Sequence, residues 1–89
     1  MDKVTLLSLS LDLKRIVQSI QKNSTDNANR FTEEAKRWVD ESKNTNDEYL
    51  KSLLKKIEKT LELKNDPNKA EDCLMYSVLI QNHALYKTK

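Results

Sequence analysis

Apolar positions follow a helical period through most of this chain. In the first segment the pattern runs unbroken as far as Ile20. Within residues 5–13, leucines also alternate with polar residues, which is the period of a strand. Leucine favours helices over strands and the longer pattern is helical, so we expect a helix over about 3–22. One side of this helix carries Leu6, Leu9, Leu13, Ile16, Val17 and Ile20.

Two more amphipathic segments follow, each with one apolar face. Their spacing predicts helices over about 26–43 and 47–64, separated by polar clusters at residues 23–27 and 44–46 that are typical of turns. We expect Asn46 to cap the third helix and Asn65 to end it in the left-handed conformation. The predicted inward residues are Ala28, Phe31, Ala35, Trp38, Val39 and Ser42, then Leu50, Leu53, Leu54, Ile57 and Leu61.

The last segment is apolar on every side. Asp66 is a favourable N-cap and Pro67 suits the first helical position, so a helix is predicted over about 67–87. A helix of this kind is normally buried by its own chain, a partner or a membrane, and this one lacks the apolar run that spanning requires. Its three stripes are Leu74, Val78 and Leu85; Cys73, Tyr76, Ile80 and Ala84; and Met75, Leu79 and Tyr86.

Together these elements predict an all-α protein with a single domain over 1–89. The connections are short, and short connections place successive helices side by side in opposite directions. We therefore expect a four-helix antiparallel bundle of up-down-up-down topology, either as a single chain or as a dimer. The chain has no glycine, which argues against hairpin-rich folds and phosphate-cradling loops.

Charge and cysteine content limit the binding partners and the cellular compartment that we expect. Sixteen basic and 14 acidic side chains leave a net charge of +2, which favours neither obligate nucleic-acid binding nor attraction to a membrane. The single cysteine excludes an internal disulfide and multi-cysteine metal motifs, as is typical of a reducing compartment. No signal-peptide pattern is found near the start. We predict a cytoplasmic protein.

The residues that usually carry chemistry are few and isolated. His83 is the only histidine, and it lies about 15 Å along the same predicted helix from Cys73, too far to share a metal. Glu71 and Asp72 precede the thiol and do not favour its ionisation. A ligand groove built from Met75, Tyr76 and Tyr86 is less favoured than core or interface roles. We predict no catalytic residue, no metal site, no cofactor and no enzymatic activity.

Surplus apolar stripes on the first and last helices are the most informative functional feature. A monomer buries one side of each helix, and a contiguous apolar remainder marks a protein contact. We predict a non-enzymatic interaction or regulatory module that binds itself as a two-fold homodimer, another protein, or both. The alternative is that rotated helices bury these residues inside the core. The interface candidates are Val4, Leu7, Leu11, Met75, Leu79 and Tyr86.

An alternative function uses the lysine-rich side of the third helix. Such a side can contact phosphates and would make the protein a nucleic-acid-associated regulator. Glu58 and Glu62 interrupt it, and no helix-turn-helix spacing is visible, so a solvated helix face is the simpler interpretation. The candidate phosphate contacts are Lys51, Lys55, Lys56 and Lys59.

Overall fold

The computed structural model describes residues 3–86, and this part of the chain is helical with no strand. Its elements are α1 (Lys3–Gln21), α2 (Thr25–Ser42), α3 (Glu48–Leu61) and α4 (Pro67–Tyr86). The all-helical prediction is confirmed, including helix rather than strand over residues 5–13. The described residues are compact, with a radius of gyration of 12.1 Å and extents of 36 × 19 × 18 Å.

The core is organised around α1. This helix packs most extensively against α4 and α2, whereas α3 packs against α2 and α4. The inward side of α1 is apolar over four turns because its leucines and isoleucine recur at helical spacing. Four of its residues are fully buried: Leu6, Leu9, Leu13 and Ile16.

The end of α1 uses asparagine where many helices use glycine. Asn23 has a φ of 57°, the only positive φ among the described residues. Ser24 N donates to Ser19 O at 2.8 Å and Asn23 N donates to Ile20 O at 3.0 Å, which is the Schellman arrangement. The predicted left-handed stop at Asn65 is wrong. α3 ends earlier, at Leu61, and the Asn65 side chain is engaged in hydrogen bonds instead.

Aspartates cap the two later helices. Asp47, rather than the predicted Asn46, caps α3, and its Oδ1 accepts from Leu50 N at 3.2 Å. Thr45 Oγ1 accepts from Asp47 N at 3.1 Å and holds that residue in place. The predicted cap of α4 is confirmed, since Asp66 Oδ1 accepts from Lys69 N at 3.0 Å.

Removal of the α4 cap gives the first testable result. We expect Asp66→Ala to lower the free energy of unfolding by about 0.5–2 kcal/mol, because one N–H group of the first turn loses its acceptor. Asp66→Asn keeps a capping oxygen and should change stability far less. Chemical denaturation measures both, and equal losses in the two variants would show that the carboxylate does not act as a cap.

Candidate functional site

Small polar residues form the seam between α1 and α4. Ser10 Oγ donates to Ser77 O at 2.7 Å, and both serines are buried. Lys14 Nζ donates to Gln81 Oε1 at 2.8 Å beside this contact. Small side chains let the two helices approach closely, and the hydrogen bonds satisfy the polar groups that this approach buries.

Exposed apolar residues flank this seam on both helices. On α1, Leu7 is half-buried against the core, while Val4 and Leu11 are 66% and 47% exposed. On α4, the helical stripe that begins at Leu74 lies beside α1. Leu74 lines a surface depression together with Val17 and Gln21 of α1, which places this side of α4 next to α1. This stripe consists of Leu74, Val78 and Leu85, which are 50%, 46% and 43% exposed.

The predicted interface residues of α4 do not lie where the sequence grouping placed them. Met75 is 48% exposed, and Leu79 is half-buried. Leu79 and Tyr86 lie by Asp47 and Tyr49 at the start of α3, rather than beside the α1 residues with which the sequence grouped them. The reason is the direction in which α4 faces the core, which is set by Cys73, Ser77, Ile80 and Ala84. The sequence interpretation used Tyr76 in that stripe instead of the small, polar Ser77.

Between the start of α3 and the end of α4 lies a cleft of about 660 Å³. His83 is only 8% exposed there, and its Nε2 lies 3.1 Å from Asp47 Oδ2. The ring of Tyr49 packs on the imidazole with a centroid separation of 5.6 Å. His83 therefore lies on a buried side of α4. Its partner was missed because Asp47 lies 36 positions earlier, where no local spacing links the two. The cleft is lined by Asp47, Tyr49, Leu79, Asn82, His83 and Tyr86.

A buried lysine joins three helices at the opposite end of α4. Lys69 is 2% exposed, and its Nζ donates to Asn65 Oδ1 at 2.9 Å, Thr32 Oγ1 at 3.1 Å and Leu61 O at 3.4 Å. Asn65 Nδ2 in turn donates to Asn29 Oδ1 at 2.8 Å. Burial lowers the pKa of Lys69 from its ordinary value. The sequence interpretation missed this residue, although position 69 lies on the same stripe as Cys73 and Ile80.

A second buried charge links α1 to α2. Asp12 is 1% exposed, and its Oδ2 accepts from Trp38 Nε1 at 2.9 Å. Arg15 approaches the other carboxylate oxygen at 3.4 Å. Burial raises the pKa of Asp12, and Glu34 raises it further. Trp38 is half-buried and packs against the core as predicted, but its indole N–H also positions the carboxylate.

Cys73 lies in the hydrophobic core. Its thiol is buried, and burial raises its pKa to about 11 from an ordinary value of 9.0. The thiolate is the reactive form of cysteine, so the structure gives this residue no nucleophilic activation.

Alkaline pH should therefore reduce stability through Cys73. The folded protein keeps the thiol protonated, so this contribution is fully present below pH 9.0 and is lost as pH rises towards about 11. We expect the wild type to lose about 2–3 kcal/mol across that window relative to Cys73→Ala. Urea denaturation at a series of pH values measures the difference. Parallel curves for the two proteins would contradict the prediction.

The four candidate lysines all lie exposed on α3. They are Lys51, Lys55, Lys56 and Lys59. Glu58 in the same helix is bound by Lys43 of the preceding segment at 2.7 Å, and this contact raises the pKa of Lys43. The lysine-rich side is thus a solvated helix surface with one of its acidic neighbours already paired.

Residues 3–86 contain no group of three or more His, Cys, Asp or Glu side chains arranged to hold a metal ion. None of the helices within that range is long and apolar enough to cross a bilayer. No protein-family model, curated protein or solved structure matches the chain.

Proposed function

We propose that this protein is a non-enzymatic helical interaction module that pairs with a second copy of itself through the face shared by α1 and α4. The observation that carries the proposal is the row of exposed apolar side chains on both sides of a tightly closed helix seam. A second copy of the chain is the simplest partner for this face, because a two-fold axis lets the same residues of the two copies cover one another.

The helix directions in this proposal are up-down-up-down. Connections of three residues (22–24) and five residues (43–47 and 62–66) leave little room for a crossover between neighbours. Contacts at both ends support the arrangement. Asn65 meets Asn29 at one end, and His83 meets Asp47 at the other. With α1 and α4 antiparallel, their exposed stripes run side by side along one face.

The proposed contact uses a revised set of residues. On α1 it contains Val4, Leu7 and Leu11, as the sequence indicated. On α4 it contains the stripe beside α1, and the residues that face α3 are left out. Lys14 also lies at this face, where its ammonium group donates a hydrogen bond to Gln81 within the same chain. The α4 residues of the proposed face are Leu74, Val78 and Leu85.

The side of the molecule that carries this face is large enough for a dimer contact. One side of the molecule, 36 × 19 Å in extent, has a projected area of roughly 700 Å². A standard interface buries about 800 Å² per partner. Because each apolar residue is already partly covered, its burial adds about half of the 1.5–3 kcal/mol of a fully buried side chain. Association itself costs about 4–15 kcal/mol, so we expect a reversible dimer rather than an obligate one.

The test is the mass of the particle in solution. Light scattering at near-millimolar concentration should give a mass close to twice the 10.4 kDa of the chain, falling on dilution. A mass of one chain throughout would reject self-association. A regulatory role towards another protein would use the same face, and the buried thiol and absence of a second cysteine suit a cytoplasmic setting.

Nucleic-acid binding through α3 is the second candidate, favoured by the exposure of all four lysines on that helix. Phosphate contacts release counterions, so an affinity based on them falls steeply as salt increases. Binding of a labelled duplex at low salt that weakens with added salt would support this candidate. Lack of binding at low salt would exclude it.

A further inference from the structure

The cleft at the end of α4 has the dimensions and the chemistry of a small-molecule site. Its volume of about 660 Å³ lies within the range of about 300–1,000 Å³ that ligand pockets occupy. It lies on the α3 side of α4 and so is separate from the face proposed for self-association. Its apolar wall is formed by Leu79 and the rings of Tyr49 and Tyr86.

The polar groups at its base include a partly exposed carboxylate and an imidazole ring. The carboxylate of Asp47 is 41% exposed although Leu50 N and His83 Nε2 both approach it. When the neutral imidazole carries its proton on Nε2, facing the carboxylate, Nδ1 has a lone pair to offer. Within residues 3–86, no group bonds to that nitrogen. A carboxylate and an unpaired ring nitrogen favour a ligand that brings hydrogen-bond donors.

The aromatic rings add a preference for positive charge. Tyr49 and Tyr86 are 54% and 74% exposed, so their surfaces are open to a ligand. The face of an aromatic ring attracts ammonium groups, and a nearby carboxylate supplies the opposite charge. Leu79 gives the ligand an apolar surface to cover. A neutral or anionic molecule would bring no opposite charge to the exposed part of the carboxylate.

We infer that this cleft binds a small organic cation, namely a primary alkylammonium with an apolar body of several carbons. The ammonium group binds at Asp47 and His83, and the alkyl chain lies along Leu79 between the two tyrosines. The inference does not depend on self-association, because none of these residues belongs to the proposed dimer face.

The test is a titration with three probes of matched size: n-hexylammonium, 1-hexanol and hexanoate. Nuclear magnetic resonance should show saturable shifts for n-hexylammonium that are largest at His83, Tyr49 and Asn82. We expect 1-hexanol to bind about tenfold more weakly, since it lacks a charge-assisted contact, and hexanoate to show no saturation. Equal affinity for n-hexylammonium and 1-hexanol, or saturable binding by neither, would overturn the proposal.

Two variants locate the charge recognition. Asp47→Asn removes the charge but retains an oxygen that caps α3 nearly as well, so the fold should be preserved. It should weaken n-hexylammonium binding about tenfold. Glu48→Gln removes the same charge one position along, outside the cleft lining, and should leave the affinity unchanged. Equal effects of the two variants would show general attraction to acidic residues and would overturn the assigned site.

Tyr86→Leu, which keeps an apolar wall, should weaken the binding of n-hexylammonium more than the binding of 1-hexanol.

Discussion

Replacing Lys69 with alanine should lower the free energy of unfolding by about 3 kcal/mol. Three methylene groups leave a site that is 98% shielded from water, and each buried methylene is worth about 0.8 kcal/mol. The carbonyl of Leu61 and the hydroxyl of Thr32 also lose a donor, and an unsatisfied buried acceptor costs about 1–3 kcal/mol. Removing a buried charge that forms no ion pair with a carboxylate of residues 3–86 offsets part of this loss. Chemical denaturation of the two proteins gives the difference.

Lys69→Met is the matched control for this prediction. Methionine retains an apolar chain of similar length but donates no hydrogen bond, so it should recover most of the packing loss and leave only the cost of the unpaired acceptors. We expect its destabilisation to be less than half that of the alanine variant. A change below about 0.5 kcal/mol in Lys69→Ala, within the range of ordinary surface substitutions, would show that the lysine does not hold the three helices together.

The second large effect is on the oligomeric state. Leu11→Glu combined with Val78→Glu should convert the proposed dimer into a folded monomer. Both side chains are nearly half exposed in the single chain, at 47% and 46%, so glutamate at these positions can remain hydrated in the monomer. In a two-fold contact the substitutions would place four like charges in one apolar interface, where their desolvation and repulsion are unfavourable. Sedimentation equilibrium measures the mass, and circular dichroism checks the fold.

A matched pair of substitutions elsewhere controls for charge. Tyr49→Glu combined with Leu63→Glu adds the same two charges at residues that are 54% and 47% exposed, and neither residue lies on α1 or α4. This variant should remain dimeric. Loss of the dimer in both double variants would point to net charge, and unfolding of Leu11→Glu/Val78→Glu would assign its residues to the internal core.

Local patterns predicted the helices well because helix formation in this chain is governed by spacing and caps. Leu6, Leu9, Leu13 and Ile16 recur at a helical period, and all four are fully buried. The Asp66–Pro67 start of α4 was also predictable, since a cap acts on the residues that directly follow it. The predicted cap of α3, Asn46, was wrong by one position because asparagine and aspartate both cap well. In the structure Thr45 Oγ1 accepts from Asp47 N, and Asp47 is the cap.

Contacts between residues that are far apart in the chain could not be predicted from the sequence. The last helix is apolar on every side in the sequence, yet α1 packs most extensively against its neighbours. The exposed apolar residues of α4 show that surplus hydrophobicity does not by itself identify the centre of a core. The pairing of His83 with Asp47 and the hydrogen bonds of Lys69 depend on how separate helices meet, which no local spacing records. The left-handed residue is Asn23, after α1, and not Asn65, after α3. Its position depends on the residue at which each helix ends.

Contacts between two copies can be observed most directly in a mixed sample of isotope-labelled and unlabelled protein. Filtered nuclear Overhauser spectra report only proton pairs that lie on different chains. Pairing through the α1–α4 face should give intermolecular signals between methyl groups of α1 and α4, with Leu11, Leu74 and Val78 prominent. A concentrated sample without intermolecular signals, or with signals centred on Leu63 and Tyr49, would contradict pairing through the α1–α4 face.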